Sequence, residues 1–330
     1  MKFIIEDKIP FIKGIFERVG EVVYLPASKI DRSSLIEADV LISRTRPYLS
    51  KELLEGTGLK LIGSATIGTD HIALDYCKEN GIKVVNAPGC NAPAVAQWTL
   101  SSILHIDQEM KRKVMAVVGV GNVGKLVADW ATRIGYEVLQ VDPYRAEAEG
   151  EGNFFSLEEA IRDADIITFH TPLTRDGKYP TYHLANKKFF QSLRNKPIIL
   201  NAARGAVVNT LELLEAYRKG EINSIAIDCW EDEPEINRAL LGIASIATPH
   251  IAGYSIEGKI RASNAMIEAV NQEFGTDLKL VMAIPTRKNT DISAERILKS
   301  YNPNNDTQEL KNNPSEFEKL RDNYNYRKEP

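Results

Sequence analysis

The stretch Val114–Gly124, VMAVVGVGNVG, decides how the rest of the chain reads. An apolar run of strand composition passes directly into Gly119-Val120-Gly121-Asn122-Val123-Gly124, and a helical pattern follows over Val123–Ile134. A glycine triplet with this spacing recurs by chance in turns; one that ends a strand and opens a helix has a physical use. The first glycine permits the tight turn and the second lets the backbone approach a pyrophosphate. The third allows close helix–strand packing, while the helix N-terminus offers N–H groups and positive potential to phosphates. The next apolar run, EVLQV (137–141), stops at Asp142. An acidic residue there accepts hydrogen bonds from a ribose 2′-hydroxyl and repels a 2′-phosphate, which selects NAD over NADP. The alternative is an ordinary βα turn with a capping aspartate.

Outward from this motif the chain alternates short apolar runs with helical patterns, the signature of parallel sheets covered by helices. Upstream, strands are expected at Lys2–Ile5, Glu21–Leu25, Val40–Ser43, Lys60–Ser64 and Lys83–Asn86, with a helix over Pro10–Val19 stopped by Gly20. A longer amphipathic helix over Ala92–Met110 follows the punctuating APGCNAP (87–93). Downstream, strands are expected at Glu137–Val141, Ile166–Phe169, Ile198–Asn201, Ser224–Asp228 and Ile243–Ala247. Helices fit at Leu157–Arg162, Lys187–Leu193, Leu211–Lys219 and Ile256–Phe274. The second series reads as a domain inserted into the first. From about Pro285 the pattern lapses: Asn302–Asn313 is rich in Asn and Asp without period, and Phe317, Leu320 and Tyr324 mark one short amphipathic helix.

The 330 residues suffice for two domains, and 43% hydrophobic content supplies their cores. A formal charge of −4 argues against nucleic acid or an anionic membrane as partner. Cys77, Cys90 and Cys229 are odd in number and widely spaced, so neither a disulfide framework nor a metal site is expected. Acidic residues at Glu6 and Asp7 interrupt the N-terminus too early for a signal peptide, and no apolar run approaches a membrane span; a cytoplasmic enzyme is the expectation.

Three charged residues follow expected strand ends: Arg204 in LNAARGAVV, Glu233 in IDCWEDEP and His250 in TPHIAGY. Singly, each has a bland reading as a surface cation, a solvated acid or a satisfied histidine. Beyond the carboxyl ends of a parallel sheet they converge on the ligand crevice. Together they supply what a hydroxy-acid dehydrogenase needs: a guanidinium for a carboxylate, a base for the hydroxyl proton, and a carboxylate to hold that base.

With these residues in place the chain resembles the D-isomer-specific 2-hydroxyacid dehydrogenases. The resemblance is carried by GVGNVG (119–124), NAARGAVV (201–208), the Asp-x4-Glu-Pro of Asp228–Pro234 and Pro249-His250. It narrows at GSATIGTDH (63–71), APGCNA (87–92), FHTPLTRDG (169–177), PHIAGYSIEGK (249–259) and the short connection HIDQEMKRK (105–113). These resemble the branch that oxidises 4-phospho-D-erythronate to (R)-3-hydroxy-2-oxo-4-phosphobutanoate, towards pyridoxal 5′-phosphate. The likeness runs over about residues 1–280 and resumes more weakly at 314–324.

The resemblance implies an α/β protein with two doubly wound parallel-sheet domains. A flavodoxin-like substrate domain (1–92 and 255–284) is split around a Rossmann NAD domain (93–254), and a shortened dimerisation region (285–330) completes a homodimer. It implies that Arg204 clamps the substrate carboxylate, His250 takes the C2-hydroxyl proton and Glu233 orients His250. It places Asp142, Thr171, Asp228 and Gly253 on NAD beside Gly119, Gly121, Asn122, Val123 and Gly124. It also places Thr45, Thr66 and Tyr254 on the substrate. Position 45 is Thr where the family pattern has Ser, which keeps the hydroxyl. A buried substrate phosphate requires cations, and Arg44, in RTR (44–46) after the strand DVLIS, is the expected one. The rival readings are another dehydrogenase of the family, such as one for 3-phosphoglycerate, and an NAD-sensing binding protein.

Overall fold

A computed structural model describes residues 1–111, 113–284 and 292–330. The expected start of the C-terminal region, at 285, lies outside the described residues. The chain forms two compact units. One comprises Met1–Asn91 and continues from Ile256 to residue 284; the other comprises Ala92–Ser255 and resumes from residue 292.

The first unit is a five-stranded, all-parallel sheet of β1 (Lys2–Glu6), β2 (Glu21–Leu25), β3 (Val40–Ser43), β4 (Leu61–Ser64) and β5 (Lys83–Val85). Its order, β2-β1-β3-β4-β5, is the flavodoxin-like one. The central strands VLIS and LIGS are buried throughout, as parallel strands covered on both faces must be. On one face Phe3, Ile5, Ile42 and Leu61 pack against Ala262, Met266, Ile267 and Val270 of the helix Ile256–Phe274. On the other, Ile4, Leu41 and Ile62 pack with Leu35, Leu54 and Cys77. The helix expected over Pro10–Val19 is absent; only the 3-10 turn Phe16–Arg18 forms there. Pro10 cannot donate within a helix, and Phe11 and Gly14 turn the backbone to φ of 60° and 82°. Ile9 and Ile12 bury without helical order, and Phe16 buries from the 3-10 turn.

The second unit is a six-stranded parallel sheet of β6 (Val114–Val118), β7 (Glu137–Val141), β8 (Ile166–Phe169), β9 (Ile198–Asn201), β10 (Ser224–Ile227) and β11 (Ile246–Ala247). The order β11-β10-β9-β8-β6-β7 reverses at β6, which has β7 on one side and β8 on the other. Crevices at such a reversal, outside the carboxyl ends of the strands, are where open α/β sheets bind ligands. The helix Ala92–Ile106 is buried on nearly every side; Trp98, Leu100 and Ile103 share a core with Val127 and Trp130 of the helix Asn122–Arg133.

Residues 292–330 are more regular than their composition predicts. Ala294–Ser300, Pro303–Asn312 and Phe317–Asp322 are helical, and Tyr324 falls just beyond the last. Asn302 caps the middle helix by accepting from the Asn304 N–H at 3.0 Å, and Pro303 occupies a first-turn position that needs no donor. The Thr307 hydroxyl accepts from Ala247 N–H at 3.0 Å, and Lys311 donates to Ala244 O at 2.7 Å. The segment thereby covers the edge strand β11, while Leu310 and Phe317 join the core of this unit. Among the described residues no helix is long and apolar enough to cross a membrane.

Candidate active site

The glycine turn sits where β6 ends, at the reversal of strand order. Gly119 adopts φ of 87°, and a Cβ there would lie 2.8 Å from the Thr171 N. At Gly124 a Cβ would lie 1.9 Å from Gly119 O, so both positions exclude any side chain. Gly121 instead faces open space, as a backbone that must approach a phosphate requires. Asn122 and Val123 open the helix Asn122–Arg133, whose first N–H groups have no partner within the helix. Asp142 accepts from Val120 N–H at 2.9 Å and from Arg145 N–H at 3.1 Å, tying the glycine turn to the helix Pro143–Glu149. The capping role thus falls to the same side chain that the sequence singles out for the ribose. Arg145 donates to Val120 O at 2.8 Å and pairs with Glu149 at 2.7 Å.

Thr171 follows β8, against Gly119. Its Oγ1 is buried with no hydrogen-bond partner among the described residues, a polar atom suited to a bound polar ligand. Neighbouring His170 stays neutral, because burial pushes its pKa down to about 3. An open glycine face, a helix N-terminus and an orphaned hydroxyl at the strand reversal fit a dinucleotide.

Beyond β9, Asn201 shapes the loop that carries Arg204. Its Nδ2 donates to Arg204 O at 2.9 Å, and its Oδ1 accepts from Ala203 N–H at 3.1 Å. Arg204 is half-buried, with Nη1 donating to Ala203 O at 2.9 Å. Beyond β10, Asp228 is 1% exposed and its carboxyl is committed to the next loop. It accepts from the Thr248 hydroxyl at 2.6 Å, from Ile251 N–H at 2.8 Å and from Ala252 N–H at 3.0 Å. Those bonds hold His250 at φ of 56°, a left-handed conformation that costs a non-glycine residue and persists where the surroundings over-determine it.

His250 Nδ1 meets Glu233 Oε1 at 2.5 Å, and Glu233 Oε2 accepts from Trp230 N–H at 3.2 Å. Burial pushes the Glu233 carboxyl up, but the His250 charge and hydrogen bond, Arg321 and the Trp230 N–H outweigh it and hold the group below the ordinary carboxylate range. Burial likewise opposes the His250 imidazolium, yet Cys229 and Glu233 raise its pKa well above 6.5. Because burial also pushes the Cys229 thiol up, the Glu233 carboxylate is the partner that is charged at neutral pH. With Nδ1 engaged by Glu233, Nε2 is the nitrogen left to exchange a proton with a ligand.

Tyr254 ends the same loop. Its hydroxyl accepts from Arg321 Nε at 3.3 Å, and its ring meets Tyr324 and Tyr326 edge-on. Gly253 precedes it and follows Ala252, whose carbonyl accepts from Arg327. In the first unit, Arg44 and Thr45 follow β3 and Thr66 follows β4, so all three stand at the carboxyl edge of that sheet. Thr45 is exposed, and Thr66 Oγ1 shares a hydrogen bond with Ser64 Oγ at 2.9 Å. Arg44 grips the buried Glu6 with Nη2 at 2.6 Å, Nε at 2.8 Å and its backbone N–H at 2.7 Å. The cation expected to read a phosphate thus already has a carboxylate partner.

Residues 94–252 match the family described as D-isomer specific 2-hydroxyacid dehydrogenase, NAD binding domain. A relative from Bacteroides thetaiotaomicron, named erythronate-4-phosphate dehydrogenase, is 45% identical over 100% of this chain and 97% of its own length. Relatives of the same name from Porphyromonas gingivalis and Escherichia coli O157:H7 are 38% and 37% identical, over 94% and 92% of theirs. The chain belongs to the erythronate-4-phosphate dehydrogenase family. Among solved structures, D-lactate dehydrogenase from Aquifex aeolicus, complexed with NAD and lactic acid, matches with a TM-score of 0.70 at 25% identity. That match covers 85% of this chain and 99% of the other. NAD-bound 3-phosphoglycerate dehydrogenase from Entamoeba histolytica matches at a TM-score of 0.68 and 24% identity, over 84% and 96%, a likeness of fold alone.

In this member of the family, sequence reasoning missed Asn201, Gly205, Arg321 and Arg327. Asn201 and Gly205 lay inside the quoted NAARGAVV, where the arginine drew attention away from the residues that seat it. A Cβ at Gly205 would lie 1.9 Å from Trp230 O, so the loops beyond β9 and β10 touch there. Arg321 and Arg327 belong to a polar segment whose local pattern says nothing of a distant loop.

Proposed function

We propose that this chain is an NAD-dependent dehydrogenase that oxidises 4-phospho-D-erythronate to (R)-3-hydroxy-2-oxo-4-phosphobutanoate, a step towards pyridoxal 5′-phosphate. The observation that carries the reading is the His250–Glu233 pair at 2.5 Å, beyond the carboxyl ends of a Rossmann-type sheet whose glycine turn fits a dinucleotide.

Bound NAD supplies the hydride acceptor. Gly119, Gly121, Asn122, Val123 and Gly124 would hold its pyrophosphate and Asp142 its ribose, with Thr171 and Gly253 beside the cofactor and Asp228 supporting the loop next to it. Arg204 holds the substrate carboxylate with its planar guanidinium, which presents C2 in a fixed orientation. His250 accepts the C2-hydroxyl proton at Nε2 as hydride departs from C2. Glu233 fixes the tautomer through Nδ1 and stabilises the imidazolium that forms. The resemblance assigns Thr45, Thr66 and Tyr254 to the substrate, and Arg44, held by Glu6, is our candidate for its phosphate. The protein works as a cytoplasmic homodimer, to which the region 285–330 contributes.

The test is NADH production from NAD with 4-phospho-D-erythronate, 3-phosphoglycerate and D-lactate supplied in parallel. His250→Asn lowers kcat by ~10²–10⁴-fold, the usual contribution of a general base, and leaves NAD binding intact. Preference for another acid in the panel overturns the substrate; undiminished turnover in the variant overturns the base.

A further inference from the structure

Arg321 has no part in the reaction as derived so far, yet its position is unusual for a cation. It lies on the helix Phe317–Asp322 with its side chain only 16% exposed, and its Nε donates to the Tyr254 hydroxyl at 3.3 Å. Glu318, one turn earlier, approaches Nη1 at 3.8 Å. Burying a guanidinium is costly unless fixed partners compensate it. The segment around it is anchored on both sides, and its C-terminal end is fastened to the catalytic loop. Phe317 is buried in the core of this unit, and Arg327 donates to Ile251 O at 2.9 Å and to Tyr254 O at 3.2 Å. Ser255 donates to Glu329 at 2.8 Å. The loop that carries His250 is therefore held both by Asp228 and by this segment.

We propose that Arg321 is a positioning residue of the active site, holding Tyr254 by its hydroxyl and biasing the His250–Glu233 pair with its charge. The role of His250 as the reacting base rests on the dehydrogenase reading; the electrostatic coupling does not. Groups that act on the pair include Cys229, kept neutral by burial, the buried Asp228 carboxyl, and Arg321 with Tyr254 and Glu318 behind it. Glu233 favours a proton on His250. Arg321 is the cation set against that tendency, so removing it makes the pair hold its proton to higher pH.

The experiment is a ring-nitrogen NMR titration of His250 in the full-length protein, assigned by its loss in His250→Asn, for wild type, Arg321→Met and Arg321→Lys. The midpoint rises by roughly one pH unit in Arg321→Met, as expected for a neighbouring charge, and returns most of the way in Arg321→Lys. The acid limb of kcat/KM for oxidation shifts upward by the same amount. Arg321→Gln, which keeps a donor for Tyr254 without the charge, gives the same midpoint as Arg321→Met and serves if that variant does not fold. A midpoint that stays put in the uncharged variants overturns the proposal, whatever happens to thermal stability. Failure of the wild type to turn over 4-phospho-D-erythronate removes the substrate reading and leaves the titration to decide the role of Arg321.

Discussion

Gly205→Ala tests how closely the two catalytic loops must fit. The added Cβ would stand 1.9 Å from Trp230 O and 2.0 Å from its carbonyl carbon, both backbone atoms that no rotamer change can move. An ordinary contact is ~3.5 Å, so the loops must part by about 1.5 Å at this point. Arg204 is the adjoining residue on one side of the gap, and Glu233 lies three residues past Trp230 on the other. A misplacement of about 1 Å costs on the order of 100-fold in a catalytic constellation, and overpacking of this kind costs ~1–3 kcal/mol of stability. The expected result is a kcat/KM for hydroxy-acid oxidation reduced about 100-fold or more, with a lowered Tm. NAD affinity, read from the quenching of tryptophan fluorescence, stays near that of wild type, because the glycine turn follows β6, two strands from β9 in the sheet. Wild-type kcat/KM in Gly205→Ala would refute the reasoning, since it would mean that neither loop needs its present position.

The pH profile follows from the His250–Glu233 pair. Since His250 must be neutral to accept a proton and its pKa is raised well above 6.5, kcat/KM for oxidation climbs as pH passes through that raised value. Glu233→Gln leaves burial unopposed, so the limb moves down by about 1–3 units and the plateau falls; an unmoved limb removes Glu233 from its role. The same raised pKa adds folding stability that is fully present below about pH 6.5 and is lost as pH rises through the folded-state value. Tm should therefore decline over that range in wild type and not in His250→Asn. Asp142→Ala frees Val120 N–H and leaves Arg145 on the same turn, so NAD binding weakens while NADP binding improves. Equal use of both cofactors by wild type would contradict the reading of Asp142. Arg44→Met strands a buried Glu6 carboxylate and costs about 3–5 kcal/mol, which Glu6→Gln in the same chain largely restores. The double variant keeps a raised KM for 4-phospho-D-erythronate relative to the unphosphorylated acid; equal KM changes for the two would take Arg44 off the phosphate.

Much of this was legible in the sequence because period and punctuation are local. VMAVVGVGNVG announces β6, its turn and its helix, and the fully apolar VLIS and LIGS announce central parallel strands. The same logic failed where tertiary contacts override local preference. Ile9, Ile12 and Phe16 carry a helical spacing, but Pro10 and Gly14 break the backbone between them, and burial with a few hydrogen bonds, such as Ser263 Oγ to Pro10 O at 2.8 Å, holds the segment. Asn302–Asn313 is the converse case. Its composition disfavours a helix, yet a cap at Asn302, a proline in the first turn and the docking of Thr307 and Leu310 on β11 produce one. Within the site, charged residues after strand ends could be found because chemistry limits what a dehydrogenase can use. Gly205 and Arg321 could not, since their importance lies in what approaches them from elsewhere in the chain.

The interruption of the first unit by the second bears on how the protein is made. Phe3 and Ile5 belong to a core that is closed by Met266, Ile267 and Val270, some 260 residues further along. At about 5–20 residues per second, the β1–β5 sheet emerges from the ribosome and waits on the order of tens of seconds with one apolar face bare. The β6–β11 sheet has most of its helices close by in sequence, but its own core is completed only when Leu310 and Phe317 arrive. The exposed face of the early sheet is a surface on which a chaperone would act. Residues 1–91 expressed alone would keep that face permanently uncovered.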